Sequence, residues 1–266
     1  DQFMLVSLFA PANAGKNRQW QNVGELEANT LEFSLNSTLI ENSNIGWNVG
    51  VNYSQTEGFI NELSAPQQQV GPDGLFYLKE NTEWGSMWGR TFVDTLDEMS
   101  QQLPAGKTIA DYSINSDGLV VETATIGTAD EKGIIKVDEV GTPVVEQIGN
   151  QQADFRVGIT SNLRINDFTF YMLWDWKQGG DIYNRNTQWN TISERSAIVD
   201  QAGKPENEKK TRKYYGSLYD VNQNQGFWVE DGTFLKLREV SLTYNFPKSL
   251  TESLPFTSGR LSLIGR

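Results

Sequence analysis

The feature that most constrains the fold is a strict two-residue alternation in the segment 154–177, "DFRVGITSNLRINDFTFYMLWDWK". From Phe155 to Leu163 every second residue is apolar or small, and the residues between them are polar, charged or glycine. After a short polar turn the alternation resumes from Phe168 to Trp176. Successive side chains of a strand point to opposite faces, so the segment is predicted to be an antiparallel hairpin with one dry and one wet face.

The same alternation recurs along the chain, and helical periodicity is nearly absent. The segment 233–247, "TFLKLREVSLTYNFP", changes its apolar phase near Arg238–Glu239, which predicts a β-bulge there. The other strand-like segments are "DQFMLVSLF" (1–9), "TLEFSLNSTLI" (30–40), "WNVGVNYSQ" (47–55) and "GRLSLIG" (259–265). We therefore expect an all-β, antiparallel architecture of about seven strands.

Composition excludes several classes of function. The chain has no Cys and no His, which removes disulfides, thiolate or imidazole metal sites and His-activated nucleophiles. Its net charge of −12 argues against a nucleic-acid partner. The turns at 71–74 and 115–118 lack the ligand spacing of an EF-hand, and adjacent carboxylates such as Asp97–Glu98 would point to opposite faces of a strand. We expect no catalytic residues, no cofactor and no metal.

The connections between the strands are strongly unequal in length. The connections after Tyr53 (about 57–152), after Trp176 (about 178–231) and after the first strand are long. The turns after Ile40, Leu163 and Phe246 are short. Residues 58–150 contain 15 acidic and 5 basic residues, so most of the net charge lies in the first long connection. Compact soluble domains seldom have such loops, whereas outer-membrane barrels combine short turns at one end with long loops at the other. The first connection has apolar residues to bury and is predicted to be ordered.

Aromatic residues lie at both ends of the apolar strand faces, as in the girdles of membrane barrels. The interval from Phe168 to Trp176 fits the ~9–11 residues of a strand that crosses the hydrocarbon. The predicted lipid-facing girdle is Trp47, Phe168, Trp174, Trp176 and Phe246. The predicted lumen-facing residues are Arg156, Asn162, Arg164 and Asp175, which would pair with neighbouring luminal charges.

A second interpretation stays open, because a soluble β-sandwich also has one polar face. A secreted, soluble β-sheet protein that binds carbohydrate would cover the apolar face with a second sheet.

Aromatic side chains in the long connections are candidates for stacking on sugar rings. These are Trp84, Trp88, Trp189 and Trp228, which could equally hold the loops together or extend the upper girdle.

Four longer stretches resemble one family, the SusC/RagA-like branch of the TonB-dependent outer-membrane receptors. They are "QWQNVGELEANTLEFSLN" (19–36), "IGNQQADFRVGITSNLRINDFTFYMLWDWKQGGDIYN" (148–184), "VEDGTFLKLREVSLTYNFP" (229–247) and "GRLSLIGR" (259–266). The last two are the more specific, and the sequence departs from the family at Thr30, where Gly is usual.

The resemblance implies that residues 1–266 are a C-terminal portion of a transmembrane β-barrel, incomplete and with long extracellular loops, the plug domain and the final strand lying outside it. It implies an integral bacterial outer-membrane protein, not an enzyme, that imports an oligosaccharide or peptide by binding and energised plug movement. The implied partners are outer-membrane lipid, the TonB complex through N-terminal parts, and a SusD-like surface lipoprotein that acts as a lid.

Overall fold

The structure is a computed structural model that describes residues 2–9, 18–71, 74–219, 224–252, 255 and 257–266, with the backbone alone for 2–9 and 18. The strands are β1 Gln2–Phe9, β2 Arg18–Glu41, β3 Ile45–Leu63, β4 Gln68–Val70, β5 Phe76–Leu78, β6 Thr82–Glu83, β7 Ser86–Gly89, β8 Tyr112–Ile114, β9 Val120–Glu122, β10 Glu146–Asn150, β11 Ala153–Ile165, β12 Phe168–Gly179, β13 Asp181–Tyr183, β14 Val229–Asp231, β15 Phe234–Asn245 and β16 Arg260–Gly265. The α-helices are short: α1 Leu96–Ser100, α2 Arg185–Ile192, α3 Arg212–Tyr219 and α4 Lys248–Thr251.

Seven strands form one long antiparallel sheet in the order β1-β2-β3-β11-β12-β15-β16, and β6 pairs with the upper part of β3. This confirms the predicted all-β, antiparallel class. Within the described residues β1 pairs only with β2 and β16 only with β15, so this part of the chain does not close into a barrel.

The predicted hairpin is the centre of the sheet. Strands β11 and β12 pair from Ala153↔Gly179 to Ile165↔Phe168. Their turn has two residues, Asn166 and Asp167, and Asn166 takes a left-handed φ of 50° that asparagine tolerates well. The two apolar rows therefore lie on the same face, and the prediction is confirmed.

The predicted bulge in β15 is also confirmed, and it explains the change of phase. Leu173 pairs with Glu239 and Trp174 pairs with Leu237, so Arg238 is the extra residue. The bulge absorbs one residue, and as a result Leu235 and Leu242 lie on the same face although their spacing in sequence is odd.

Strands β2 and β3 are longer than their apolar alternation indicates, at 24 and 19 residues. Their upper halves pair with each other from Thr30↔Thr56 to Gly24↔Leu63, although polar residues occupy many positions there. Because β3 ends at Leu63, the first long connection begins there rather than at about residue 57.

The buried core of the described residues lies in the connections and at the upper ends of β2 and β3, and not under the centre of the long sheet. One cluster joins Phe92 and Leu119 of the first connection to Tyr214, Leu218 and Trp228 of the second. A second cluster packs Val93 against Met99, Tyr112 and Val120, and a third lies where β2 and β3 meet Leu78. The first connection is therefore ordered, as predicted, and the two connections fold as one unit, which we call the loop assembly (residues 64–152 and 180–233).

Candidate functional site

The apolar face of the long sheet is continuous across its central strands. Strand register aligns one row as Phe33, Tyr53, Val157, Trp176 and Leu235. The next row is Leu35, Val51, Ile159, Trp174 and Leu237, and a row nearer the short turns is Trp47, Leu163, Phe170, Leu242 and Leu263.

No described second layer covers this face. Phe33 is 57% exposed, Leu235 62%, Leu242 44% and Leu263 75%, and none of them belongs to a buried cluster. Contiguous exposed apolar patches of more than a few hundred Å² mark interaction or membrane surfaces. The face therefore needs a non-aqueous neighbour from outside the described chain.

Aromatic rings gather at both ends of the apolar face. At the end near the loop assembly, the Phe155 ring lies 5.7 Å from the Tyr53 ring and 5.0 Å from the Trp176 ring. At the short-turn end, the Tyr244 ring lies 4.7 Å from Phe168 and 5.7 Å from Phe246.

The two remaining girdle tryptophans, Trp47 and Trp174, are partly buried. Trp47 belongs to the short-turn end, and its Nε1 donates a hydrogen bond of 3.0 Å to Ser161 Oγ. Trp174 lies on the apolar face opposite Ile159, beside the ring group at the loop end. All five predicted girdle residues thus lie on the apolar face or at its ends, and their contact with lipid stays a prediction.

The opposite face is polar, and its side chains bond to one another across the strands. Ser34 Oγ donates to Asn52 Oδ1 at 2.7 Å, and Thr38 Oγ1 donates to Asn48 Oδ1 at 2.7 Å. One row holds Glu32, Ser54, Arg156, Lys177 and Phe234, and the next holds Ser34, Asn52, Gly158, Asp175 and Lys236.

The four predicted lumen-facing residues lie on this polar face, where two of them have partners. Arg164 donates from Nη2 to Glu41 Oε1 at 2.9 Å, and Arg238 donates to Asp175 Oδ2 at 2.9 and 2.6 Å. Arg156 has no ion pair among the described residues, and Asn162 is exposed. That the face lines a lumen stays a prediction.

The four loop tryptophans do not form one site. Trp84 and Trp189 are 38% and 49% exposed, and the guanidinium of Arg185 lies 4.9 Å from the centroid of the Trp189 ring. Trp88 is partly buried, with Lys79 Nζ 5.2 Å from its ring centroid.

Trp228 is buried in the loop assembly. The sequence allowed it either to stack on a sugar or to hold the loops together. Trp228 is 2% exposed, and its Nε1 donates a hydrogen bond of 2.8 Å to the Leu218 carbonyl. Its ring cannot stack on a ligand in this structure, so its assignment as a stacking platform is corrected in favour of holding the loops together.

A buried polar network joins the two halves of the loop assembly, and sequence reasoning missed it. Lys210 donates to Glu131 Oε1, and both side chains are 1% exposed. Glu131 also accepts from Asn115 Nδ2 at 3.1 Å and from the Gly127 amide at 2.8 Å. The partners are 79 residues apart and belong to no motif, so the only signal was a Lys in an acidic chain.

Tyr214 belongs to the same network. Its hydroxyl donates to Asp117 Oδ2 at 2.7 Å and accepts from Asn115 Nδ2 at 3.0 Å. Burial raises the pKa of the Tyr214 phenol far above its usual range, and the hydrogen bond to Asp117 raises it further.

An acidic cleft of about 600 Å³ opens where β3 and β11 diverge below the loop assembly. Its walls carry the carboxylates Glu27, Glu57, Glu83, Asp154 and Asp181. Gln152 spans the cleft edge: it donates from Nε2 to the Trp84 carbonyl, and its Oε1 accepts from the Gly58 amide at 2.8 Å.

Across the described ranges, acidic, His and Cys side chains form no group of three arranged to hold a metal ion. None of the described helices is long and apolar enough to cross a membrane.

No family model matches the sequence. Curated relatives do match over nearly its whole length. TonB-dependent receptor P3 from Formosa agariphila is 24% identical over 274 residues, which cover 96% of this chain and 25% of the relative. TonB-dependent receptor P26 from the same organism is 28% identical over 255 residues, covering 92% of this chain and 24% of the relative. The chain therefore spans about a quarter of the length of the curated relatives it matches.

Solved structures show the same fold. A chain of the RagAB peptide importer in its closed-closed state superimposes with a TM-score of 0.63 at 15% identity, over 98% of this chain and 28% of that one. A chain of the RagAB peptide transporter gives a TM-score of 0.60 at 14% identity, over 98% of this chain and 27% of that one. The chain is thus similar in sequence to TonB-dependent receptors and in fold to a chain of RagAB, which confirms the resemblance seen in its strand motifs.

Proposed function

We propose that this chain is part of an outer-membrane, TonB-dependent transporter that imports a nutrient. The observation that carries the proposal is the uncovered apolar face of the long sheet, with aromatic rings at both ends and a hydrogen-bonded polar face behind it. Taking one large apolar side chain out of water is favourable by roughly 1.5–3 kcal/mol. Several rows of such side chains therefore favour a lipid environment strongly, and they cover the height that a tilted strand needs.

In this proposal the polar face borders a water-filled interior, and the loop assembly faces the cell exterior. Cargo would meet the loops and then the polar face, and movement of a plug outside this chain would release it inward. The names of the matched proteins support inward transport. The curated relatives are named TonB-dependent receptors, and the solved structures are named peptide importers. An oligosaccharide or peptide cargo and a surface lipoprotein lid belong to the proposal.

The soluble carbohydrate-binding alternative requires a second sheet over the apolar face. The small β-sheets of the described chain lie in the loop assembly, and the buried clusters contain no residue from the central rows of that face. No specific observation favours the alternative.

Single cysteines test the orientation of the sheet, because this chain has no native Cys. Val51 and Asn52 are neighbours on β3 that point to opposite faces. In the full-length protein in cells, we expect Asn52→Cys to react with a water-soluble maleimide and Val51→Cys to react only with an apolar one. Equal reaction of both with the water-soluble reagent, or recovery of the protein from the soluble fraction, would contradict the proposal.

Import itself is tested by growth. A strain that lacks the full-length gene should lose growth on at least one glycan or peptide as sole nutrient, and a plasmid copy should restore it. Unchanged growth on every candidate nutrient would argue against an import role.

A further inference from the structure

The polar face contains one hollow that its own side chains do not fill. An added Cβ at Gly158 would meet no atom within 4 Å. The space over two other glycines of this face is already occupied. An added Cβ would lie 2.5 Å from Thr160 Oγ1 at Gly50 and 2.9 Å from Glu41 Oε2 at Gly46. Gly158 is thus the open floor of a pocket of about 380 Å³, with Glu32 on one wall and Asp175 on the other.

Arg156 lines this pocket and pairs with neither of its two carboxylates, Glu32 and Asp175. It is exposed, it is on the same face as Gly158, and it has no ion pair among the described residues. Asp175 could neutralise it, but that carboxylate already accepts two hydrogen bonds from Arg238. Asp154, two residues away at the register shift where β11 begins, lies over Gly179 instead, where its carboxylate would be 2.6 Å from an added Cβ.

The two nearby lysines, Lys177 and Lys236, are each held by other groups. Lys177, opposite Arg156 in the register, is buried and donates from Nζ to the Gly180 carbonyl at 3.1 Å. Lys236, opposite Asp175, holds its Nζ 4.4 Å from the centroid of the Phe234 ring. This patch of the polar face therefore holds two carboxylates, Glu32 and Asp175, of which Asp175 is engaged by Arg238. Its four cations are Arg156, Lys177, Lys236 and Arg238.

We propose that Arg156 binds a carboxylate group of the cargo over the open floor at Gly158. The planar guanidinium pairs with a carboxylate through two parallel hydrogen bonds, which gives both strength and orientation. Glu32 lies across Ser54, two strand spacings or about 10 Å from Arg156, where it can accept from hydroxyl or ammonium groups of the same ligand. This inference rests on the proposed function, since it takes the polar face as the path of the cargo.

Two pairs of probes distinguish the possible sources of the carboxylate. One pair is an alanine heptapeptide with a free C-terminal carboxylate and its C-terminal amide. The other pair is trigalacturonate and its methyl ester. Binding of each probe to the full-length protein in detergent is measured by titration calorimetry, which does not require transport.

We expect the carboxylate member of one pair to bind more tightly than its neutral twin. Arg156→Gln should remove that preference and weaken binding of the carboxylate by about 10- to 100-fold. Gly158→Val should also weaken it, because the side chain fills the hollow without changing the charge. The matched control is Arg164→Gln, which removes an equal charge from the same face of β11 but from a residue already paired with Glu41; its affinity should stay within about twofold of wild type.

Three results would overturn the proposal: no carboxylate preference in either pair, wild-type affinity in Arg156→Gln, or an equal loss in Arg164→Gln. If Arg156→Gln lowers the melting temperature of the ligand-free protein and leaves binding unchanged, the carboxylate belongs to the protein itself and the cargo assignment is wrong. A failure here with normal nutrient import would leave the proposed function standing, so the two are separable.

Discussion

At the residue level, Glu131 and Lys210 form a buried ion pair that joins the two halves of the loop assembly. Both side chains are removed from water, and each half of the loop assembly supplies one of them. A buried ion pair is not strong evidence of net stability, but removal of one partner leaves an uncompensated charge. Correct packing of the two connections against each other should therefore depend on the pair remaining intact.

Lys210→Met should destabilise the loop assembly by about 3–5 kcal/mol, because Glu131 would stay buried without its cation. Hydrogen exchange in the full-length protein measures this locally. Peptides that cover residues 115–131 should lose protection by about two to four orders of magnitude.

Lys213→Met is the matched control. Lys213 pairs with Asp130 at 2.9 Å, but the two side chains are 71% and 78% exposed. Exposed pairs contribute about 0–1 kcal/mol, so protection should change by less than about tenfold. Equal effects of Lys210→Met and Lys213→Met would show that burial does not determine how much stability is lost when the lysine is removed.

Tyr214 gives the loop assembly a pH dependence on the alkaline side. Its pKa is raised in the folded state, so the stability that it contributes is present below the unfolded value of 10.0 and is lost as the pH rises above that value. Between about pH 9 and pH 11, wild-type protein should lose more thermal stability than Tyr214→Phe, which has no phenol to ionise. Parallel losses in the two proteins would contradict this assignment.

At the scale of elements, one extra residue in β15 keeps the apolar side chains on both sides of it on the same face of the sheet. Arg238 is the bulged residue, and its guanidinium uses the position to reach Asp175 at 2.6 Å. The alternation on the two sides of the bulge could be found in the sequence because each side has its own apolar phase.

Deletion of Arg238 should be tolerated, because it restores an unbroken alternation through Leu237, Val240 and Leu242 and costs only an exposed ion pair. Deletion of Ser241 should prevent assembly, because it moves Leu242 and Tyr244 to the polar face. Heat-modifiable mobility of the full-length protein on gels distinguishes folded from unfolded forms. Similar behaviour of the two deletions would show that the bulge does not set the phase.

At the scale of the whole molecule, the sheet separates two environments. Ile159 lies mid-strand on the apolar face, and Asn162 lies on the polar face of the same strand. Ile159→Arg should destabilise the assembled protein by about 2–4 kcal/mol, the cost of a charge at the bilayer midplane. Asn162→Arg should cost about 0–1 kcal/mol, since it places the same side chain in water.

Equilibrium unfolding of the full-length protein from lipid vesicles measures both values. Equal costs for Ile159→Arg and Asn162→Arg would mean that neither face meets lipid, and would count against the membrane assignment.

Local patterns in the sequence were sufficient to predict the geometry of the long sheet. The β11–β12 hairpin, its wet and dry faces and the bulge at Arg238 follow from alternation and turn chemistry, which act between residues close in the chain. The shared face of neighbouring strands follows as well, because a shift of one residue would place charged side chains among the apolar rows.

The contacts between distant segments could be seen only in the folded protein. Folding joined Glu131 to Lys210, buried Trp228 against Leu218, and left Arg156 without the carboxylate that Arg238 had taken. It also extended β2 and β3 through polar residues, because backbone hydrogen bonds between the strands do not require apolar side chains. These outcomes depend on contacts between residues far apart in sequence, for which the local pattern of side chains carries no signal.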